Sequence, residues 1–445
     1  MNARELAYES LLAIFKDNGY SNIVVARMIQ RHSLADRDRR LYTELVYGTL
    51  RYINYLDWII GKLSSRKLNK LDMKCLIILR MGLYQLFCLT KIPDSAACNE
   101  SVKLALRYGN TGMSKFVNGL LRNSIRQRDQ FHIPSLEEDE LLHISLTYHQ
   151  PLWLVKKFIK TYGRDDAMRA FEYFDTVPDL CVRTNTTKIS REDLLRVLNE
   201  RELAAEPAAY APEGIYIRHM PGIQDLQEMK QGLCQIQDEP SMLVCHVLDP
   251  QPKDTVFDVC AAPGGKTTHI AERMGQTGTV YGCDIYEHKL KLIEDNVQRL
   301  GLRNVRALLQ DACTIGSVFP GKADKVLVDA PCSGLGVLKR KLDLRWRKRP
   351  EEIQALPALQ KRILDSAACC VKPGGVLVYS TCTMNDDENI RIIEDFLATH
   401  PEFHADDATK YISIPMEGPY IQILPQRHGL DGFFIARLVK GDTND

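Results

Sequence analysis

The sequence predicts a multidomain protein: an all-α amino-terminal domain, a small α+β unit, and a carboxy-terminal α/β domain of the doubly wound, Rossmann-like type. Three observations predict it. Residues 1–128 place apolar side chains at helical spacing, with few helix-breaking glycines. From about residue 238, short continuous apolar strands alternate with helical stretches, the pattern of a parallel sheet covered on both faces. Between them lies FHIPSLEEDELL, a proline followed by an acidic run, which reads as a linker or boundary. The expected domains are 1–130, 143–235 and 236–445, and 445 residues suit two to three domains.

In the first domain, Leu41, Leu45, Val46, Leu50, Ile53, Leu56, Ile59 and Ile60 follow a period near 3.6. KCLIILRMGLYQLFCL and SAACNESVKLALRYG repeat the style, with Pro93 and Asp94 punctuating between them. The middle unit reads as helices LWLVKKFIKTYG and DAMRAFEYF, strand LCVRTNT, helix SREDLLRVLNE and strand AYAPEGIYIR. Ser190 with Asp193 three residues on is a capping-box signature. In the last domain the strands are TVFDVC, TVYGCDI, VRALLQD, KVLVDAP, VLVYSTC and GFFIARLVK.

Composition excludes several classes. Apolar residues make up 45% and charged residues 26%, ordinary for a globular chain. No run approaches the ~18 apolar residues of a membrane span, and MNARELAYESLLAIF lacks the basic head and apolar run of a leader. Thirteen cysteines, an odd number with no paired spacing, read as reduced thiols of a cytoplasmic protein, with neither a disulfide framework nor a metal site. The net charge of +1 hides an asymmetry: residues 1–130 hold 21 Lys and Arg against 11 Asp and Glu. A domain about ten units positive points to a polyanionic partner such as nucleic acid.

The chemistry centres on CAAPGGKTTH. It resembles the tail of a nucleotide-triphosphate loop, but Cys260 stands where that loop needs its first glycine. The dinucleotide fingerprint G-x-G-x-x-G is absent too. The turn Cys260, Ala261, Ala262, Pro263, Gly264, Gly265 and Lys266 leaves a strand and opens a helix, the edge where doubly wound sheets bind ligands. Asp284 follows the next strand, 18 residues beyond Lys266, near the spacing at which an acid holds a ribose hydroxyl. Asp311, after the third strand, could accept from an adenine amino group. A ribose-bearing ligand on a short glycine turn points to S-adenosylmethionine.

Two further strand ends carry cysteine: DAPCSG, with Asp329 and Cys332, and YSTCT, with Cys382. A thiol at a methyl-transfer site suits an acceptor that is a poor carbon nucleophile, such as carbon 5 of cytosine. Thiolate addition at carbon 6 pushes electrons onto carbon 5. Asp329 could bond the cytosine edge, with Lys266 orienting it. Which thiol attacks and which assists product release stays open at this level.

Together CAAPGGKT, Asp284, Asp311, DAPCSG and YSTCT resemble the RNA (cytosine-5)-methyltransferases of the NOL1/NOP2/Sun family, with QDEPS (237–241) and DGFFIARL (431–438) extending the likeness over roughly 236–440. That resemblance implies a Rossmann-type S-adenosylmethionine enzyme with Cys382 as nucleophile and Cys332 assisting release. LADRDRRLYTELVYGTLR and SKFVNGLLRN are similar to the NusB-like RNA-binding fold. Within the family this fusion implies small-subunit (16S) ribosomal RNA as substrate, at cytosine 967. The expected partner is that RNA before full subunit assembly, and the expected state is a monomer. A transfer-RNA enzyme and a non-catalytic RNA-binding assembly factor are the rival readings.

KRKLDLRWRKR, 339–349, follows the active loop and is basic at seven of eleven positions. Arg340, Arg345 and Arg347 are expected to contact phosphate and Trp346 to stack a base. Arg37, Arg39, Arg40 and Arg51 could add affinity without reading sequence. His269 reads as a helix-face residue and not a catalyst.

Overall fold

The computed structural model describes residues 1–17, 19–219 and 226–442, and it divides into two compact units, 1–176 with 338–348, and 177–337 with 349–445. No helix among the described residues is long and apolar enough to cross a membrane.

The first unit is all helical: α1 (Ala3–Lys16), α2 (Ser21–Arg31), α3 (Asp36–Arg51), α4 (Ile53–Leu63), α5 (Met73–Phe87), α6 (Asp94–Tyr108), α7 (Thr111–Arg126), α8 (Glu140–Thr147), α9 (Leu152–Tyr162) and α10 (Arg164–Asp175). Asn2, Asp72, Asn110 and Asp139 cap α1, α5, α7 and α8 with side-chain oxygens, each stabilising by about 1 kcal/mol. Asp139 belongs to the acidic run read as linker, so that run is partly the start of α8. Helix α5 is the centre of the unit, buried continuously from Cys75 to Leu86. Gly48 on α3 makes room for it: a Cβ there would lie 2.0 Å from the Tyr84 ring.

The basic segment 338–348 packs into this helical unit. Leu342 joins the helical core, Ser21 Oγ donates to Asp343 at 2.5 Å, and Trp346 Nε1–H donates to the Leu50 carbonyl at 2.6 Å.

The second unit holds two sheets. The smaller comprises β1 (Leu180–Thr184), β2 (Ala205–Pro207), β3 (Gly214–Ile217) and β4 (Cys234–Ile236), antiparallel in the order β2-β3-β1-β4. Strands β2 and β4 were not legible, because three residues are too few to show alternation. Ser190 caps the helix Arg191–Glu200 by accepting from the Asp193 N–H at 3.1 Å, and its hydroxyl donates to the Asp193 carboxylate.

The larger sheet comprises β5 (Thr255–Asp258), β6 (Thr279–Asp284), β7 (Val305–Leu309), β8 (Ala323–Asp329), β9 (Val371–Thr381), β10 (Phe403–Asp406), β11 (Ile421–Ile423) and β12 (Phe433–Lys440). Its order is β10-β12-β9-β8-β5-β6-β7, with β11 on β12. Strands β5 to β9 are mutually parallel, and β10, β11 and β12 add antiparallel. The expectation of a wholly parallel sheet is corrected at this edge, since β12 returns beside β9 in the opposite sense. Two cores cover the faces. Val256, Leu327, Val378 and Ile435 pack with Met242 and Ile270 on one, and Phe257, Val326, Leu377 and Tyr379 with Ile363 and Phe396 on the other.

Candidate active site

The glycine turn joins β5 to the helix Gly265–Arg273. Gly264 has φ +100°, and a Cβ there would lie 3.2 Å from the Ile293 Cα, so a side chain would be strained by conformation and crowded by the neighbouring helix. The Gly264 N–H donates to the Ala261 carbonyl at 2.7 Å, and Asn296 donates to the Pro263 carbonyl at 2.9 Å. The Lys266 ammonium is committed elsewhere than to a phosphate: it donates to Asp329 Oδ2 at 2.8 Å.

Three adjacent strands end in acids at this edge. Asp258 closes β5, with Oδ2 accepting from Thr267 at 2.7 Å and Oδ1 buried without a partner. Asp284 closes β6 and accepts the Tyr286 N–H at 3.0 Å. Asp311 lies just beyond β7 and accepts the Cys313 N–H at 2.8 Å. Burial, then the charges of Asp258, Asp329 and Asp284, push the Cys260 thiol well above its ordinary value, which keeps it protonated. An open backbone turn flanked by carboxylates fits a ligand with ribose hydroxyls and an amino-bearing base. Residues 260–265, Asp284 and Asp311 are the groups available to hold it.

Beside this cradle, β8 and β9 run parallel with Asp329 opposite Ser380. Cys382 follows β9 directly, and Cys332 lies in the loop after β8. Their Sγ atoms are 3.4 Å apart. Asp329 is held on both oxygens, by Lys266 on one and by Ser380 Oγ at 2.9 Å on the other. The hydrogen bond to Cys382, followed by burial, raises the Cys332 thiol well above its ordinary value, so Cys332 rests as a neutral thiol. Burial opposes the charge on Lys266, but Asp329 outweighs it and raises the ammonium's pKa.

Sequence reasoning missed what fixes these groups. Glu388 is fully buried and accepts from Ser333 N–H at 2.7 Å, Ser333 Oγ at 2.5 Å, Gln360 Nε2 at 3.1 Å and Asn385 Nδ2 at 3.0 Å. It clamps the residue after Cys332 to the segment after Cys382. Within MNDDENI nothing distinguishes it from a solvated acid. Arg183 of β1, also fully buried, donates to Glu272 at 2.8 and 3.0 Å and to the Gly265 carbonyl at 2.8 Å. It thereby braces the helix that begins at the glycine turn.

The expected RNA-gripping loop is corrected in part. Arg345 is 1% exposed, with its guanidinium donating to the carbonyls of His149 at 3.2 Å and Phe174 at 2.6 Å. Burial pulls its pKa down to about 10. Trp346 spends its N–H on Leu50, and Arg347 packs over the Tyr20 ring at 4.6 Å. Basic and aromatic residues interleaved at helical spacing serve core packing here as well as they would serve a nucleic acid. Arg340 is half-buried. Arg37 and Arg40 are exposed on α3, whereas Arg39 pairs with Asp36 and Arg51 donates to the Asp175 carbonyl.

Known families and relatives match this chain along most of its length. Residues 1–126 match the NusB family, residues 150–224 a ferredoxin-like domain of RsmF/B-like methyltransferases, and residues 245–439 the family described as 16S rRNA methyltransferase RsmB/F. The chain is 39% identical to a probable ribosomal RNA small subunit methyltransferase B of Synechocystis, over 99% of this chain and 100% of that one. Its identity to the Bacillus subtilis protein of the same description is 38%, over 99% of each. The solved structure of PH0851 superposes with a TM-score of 0.85 at 27% identity, covering 98% of this chain and 97% of that one. The fold class read from the sequence is the one these matches describe, with the middle domain now identified as ferredoxin-like.

Proposed function

We propose that this chain, which belongs to the ribosomal RNA small subunit methyltransferase B family and is an S-adenosylmethionine-dependent methyltransferase, methylates carbon 5 of a cytosine in 16S ribosomal RNA. By the family resemblance the target is cytosine 967. The observation that carries the reading is the 3.4 Å approach of the Cys332 and Cys382 thiols beside the Lys266–Asp329 pair. A methyltransferase acting on an already nucleophilic nitrogen or oxygen needs no thiol at that place.

S-adenosylmethionine, held by residues 260–265, Asp284 and Asp311, supplies an electrophilic methyl group. The chain's own residues prepare the acceptor. The Cys382 thiolate adds to carbon 6 of the cytosine, and the ring's electrons move to carbon 5, which becomes nucleophilic. Asp329, oriented by Lys266 and Ser380, accepts from the cytosine amino group and fixes the ring edge, and the Lys266 ammonium beside it offsets the charge that moves toward the ring nitrogen. After methylation the carbon-5 proton passes to solvent, its electron pair re-forms the carbon 5–carbon 6 double bond, and the Cys382–carbon 6 bond breaks to return the Cys382 thiolate. Cys332, a neutral thiol beside Cys382, donates to that departing thiolate and so assists release.

Two measurements test the reading. Bisulfite sequencing of 16S ribosomal RNA from cells lacking this protein should show loss of one protected cytosine, restored by the wild-type gene. Loss in a transfer RNA instead, or no loss, would overturn it. With RNA and cofactor, Cys332→Ala should accumulate a covalent protein–RNA adduct on a denaturing gel, whereas Cys382→Ala should form none. The reverse pattern would exchange the two roles.

A further inference from the structure

The second unit contains another convergence of chemistry-bearing side chains. Glu213 lies in the turn before β3, His246 on the helix Glu239–Leu248, and His269 on the helix Gly265–Arg273. His246 Nε2 is 3.0 Å from both Glu213 oxygens, and His269 Nε2 is 2.8 Å from Glu213 Oε1. One oxygen and two imidazole nitrogens lie within 4.8 Å of one another. Glu213 is 6% and His269 2% exposed, and the His246 side chain is 12% exposed. We propose that Glu213, His246 and His269 form a zinc-binding site whose fourth ligand is solvent.

The donor set is the first argument. Two imidazoles and one carboxylate suit zinc, whose ligands sit at ~2.0–2.2 Å and therefore roughly 3.3 Å from each other in a tetrahedron. The present spacings bracket that value, so small side-chain movements close the site. The second argument is access. A cavity of about 450 Å³ opens on the cluster, lined also by Thr184, Ser190 and Glu192, with room for a metal-bound water. The ring of His269 stands against the ion: its Nδ1 is buried without a hydrogen-bond partner, and a metal on Nε2 would leave the ring proton on that nitrogen with no acceptor.

A contact of Arg273 also opposes the ion. Arg273 donates to His246 Nδ1 at 3.2 Å, whereas a metal on Nε2 leaves a proton on Nδ1. Arg273 is exposed and free to swing toward solvent. The site joins the small sheet to the helix that starts at the glycine turn, and His269 lies three residues beyond Lys266 on that helix. Bound zinc would brace the element that carries Lys266. No cysteine takes part, so cysteine spacing could not have revealed it.

The test uses the full-length protein, freed of metal with a chelator, and Zn²⁺ or Co²⁺ alone as the probe. Wild type should take up one Zn²⁺ per chain and unfold at a higher temperature with Zn²⁺ than without. The Co²⁺ form should show visible ligand-field bands without the intense near-ultraviolet band of a thiolate ligand. His246→Asn, at the most exposed of the three positions, should weaken binding by more than the roughly 10–100-fold typical of losing an outer-sphere partner. Arg273→Ala should keep or tighten it, and as a surface change it tests the site without disturbing the core. Absence of stoichiometric metal in wild type, a thiolate band, or binding that survives His246→Asn would overturn the proposal. The cluster would then be a carboxylate bridging two imidazole N–H groups.

Discussion

The Lys266 ammonium donates to Asp329 at 2.8 Å, tying the helix after the glycine turn to the carboxyl end of β8. The two residues are 63 positions apart, one in the first turn of the helix after β5 and the other closing β8. Their pairing joins the cradle expected to hold the methyl donor to the acid expected to hold the base.

Lys266→Met should therefore cut turnover and leave the fold intact. The variant keeps the stem and removes the charge, leaving one oxygen of a half-buried Asp329 without its partner. Loss of a charged hydrogen bond is worth about 1.5–3 kcal/mol, or roughly 10- to 100-fold in rate. Transfer of labelled methyl groups to RNA measures it, with far-UV circular dichroism as the control. An unchanged rate would remove Lys266 from the mechanism.

Asp258 makes a pH-dependent contribution. Burial pushes its carboxyl up to about 7, the Thr267 hydroxyl works against the shift, and the charge of Asp329 adds to it. Between pH ~4 and ~7 the folded chain holds a proton that the unfolded chain releases, so this contribution falls as pH rises. It is fully present below about pH 4 and lost above about pH 7, a difference of about 4 kcal/mol. Asp258→Asn, which can still accept from Thr267, should gain stability over wild type at pH 8 and little at pH 4.5. Urea unfolding at the two pH values checks the sign.

Glu388→Gln should loosen the loop bearing Cys332. One acceptor oxygen becomes an amide that faces the donors of Ser333, Asn385 or Gln360. A buried mismatch of this kind costs about 3 kcal/mol. Thermal unfolding should show the loss. At a temperature where the variant is folded, adduct release should slow more than cofactor binding weakens.

Trp346→Ala should destabilise the helical unit by about 3 kcal/mol, because it empties a packed position and leaves the Leu50 carbonyl without its donor. RNA affinity at a temperature where the variant is folded should change little. A large loss of affinity with no loss of stability would return Trp346 to the stacking role its sequence context suggests.

Much of the site was legible because its signals are local. Cys260 to Lys266 leave one strand and enter one helix, so the glycine turn declares itself within seven residues. Asp284, Asp329 and Cys382 are each read from the strand they terminate. Helices such as α3 and α7 of the first unit show their period because each buries one stripe over about four turns. Strands β2, β4, β10 and β11 did not, because three or four residues cannot display a period.

Other features have no local signature. Glu388 reads as one acid among four polar neighbours, and Arg183 as one charge in a strand. Glu388 is fixed by Gln360 and Ser333, 28 and 55 positions away, and Arg183 by Gly265 and Glu272, 82 and 89 positions away. The basic run 339–349 misled because Trp346 flanked by arginines looks the same whether it faces a base or the Leu50 carbonyl.

The sequence by itself determined the succession of helices and strands, the glycine turn, the acids and cysteines at the strand ends, and through these the chemistry of methyl transfer. All are consequences of residue type and near-neighbour spacing. Only the tertiary structure decided that Cys332 meets Cys382, that Arg345 and Trp346 turn inward, and that Glu213, His246 and His269 converge. Those pairings depend on which faces pack together, and packing is a property of the whole chain's burial and not of any short stretch of it.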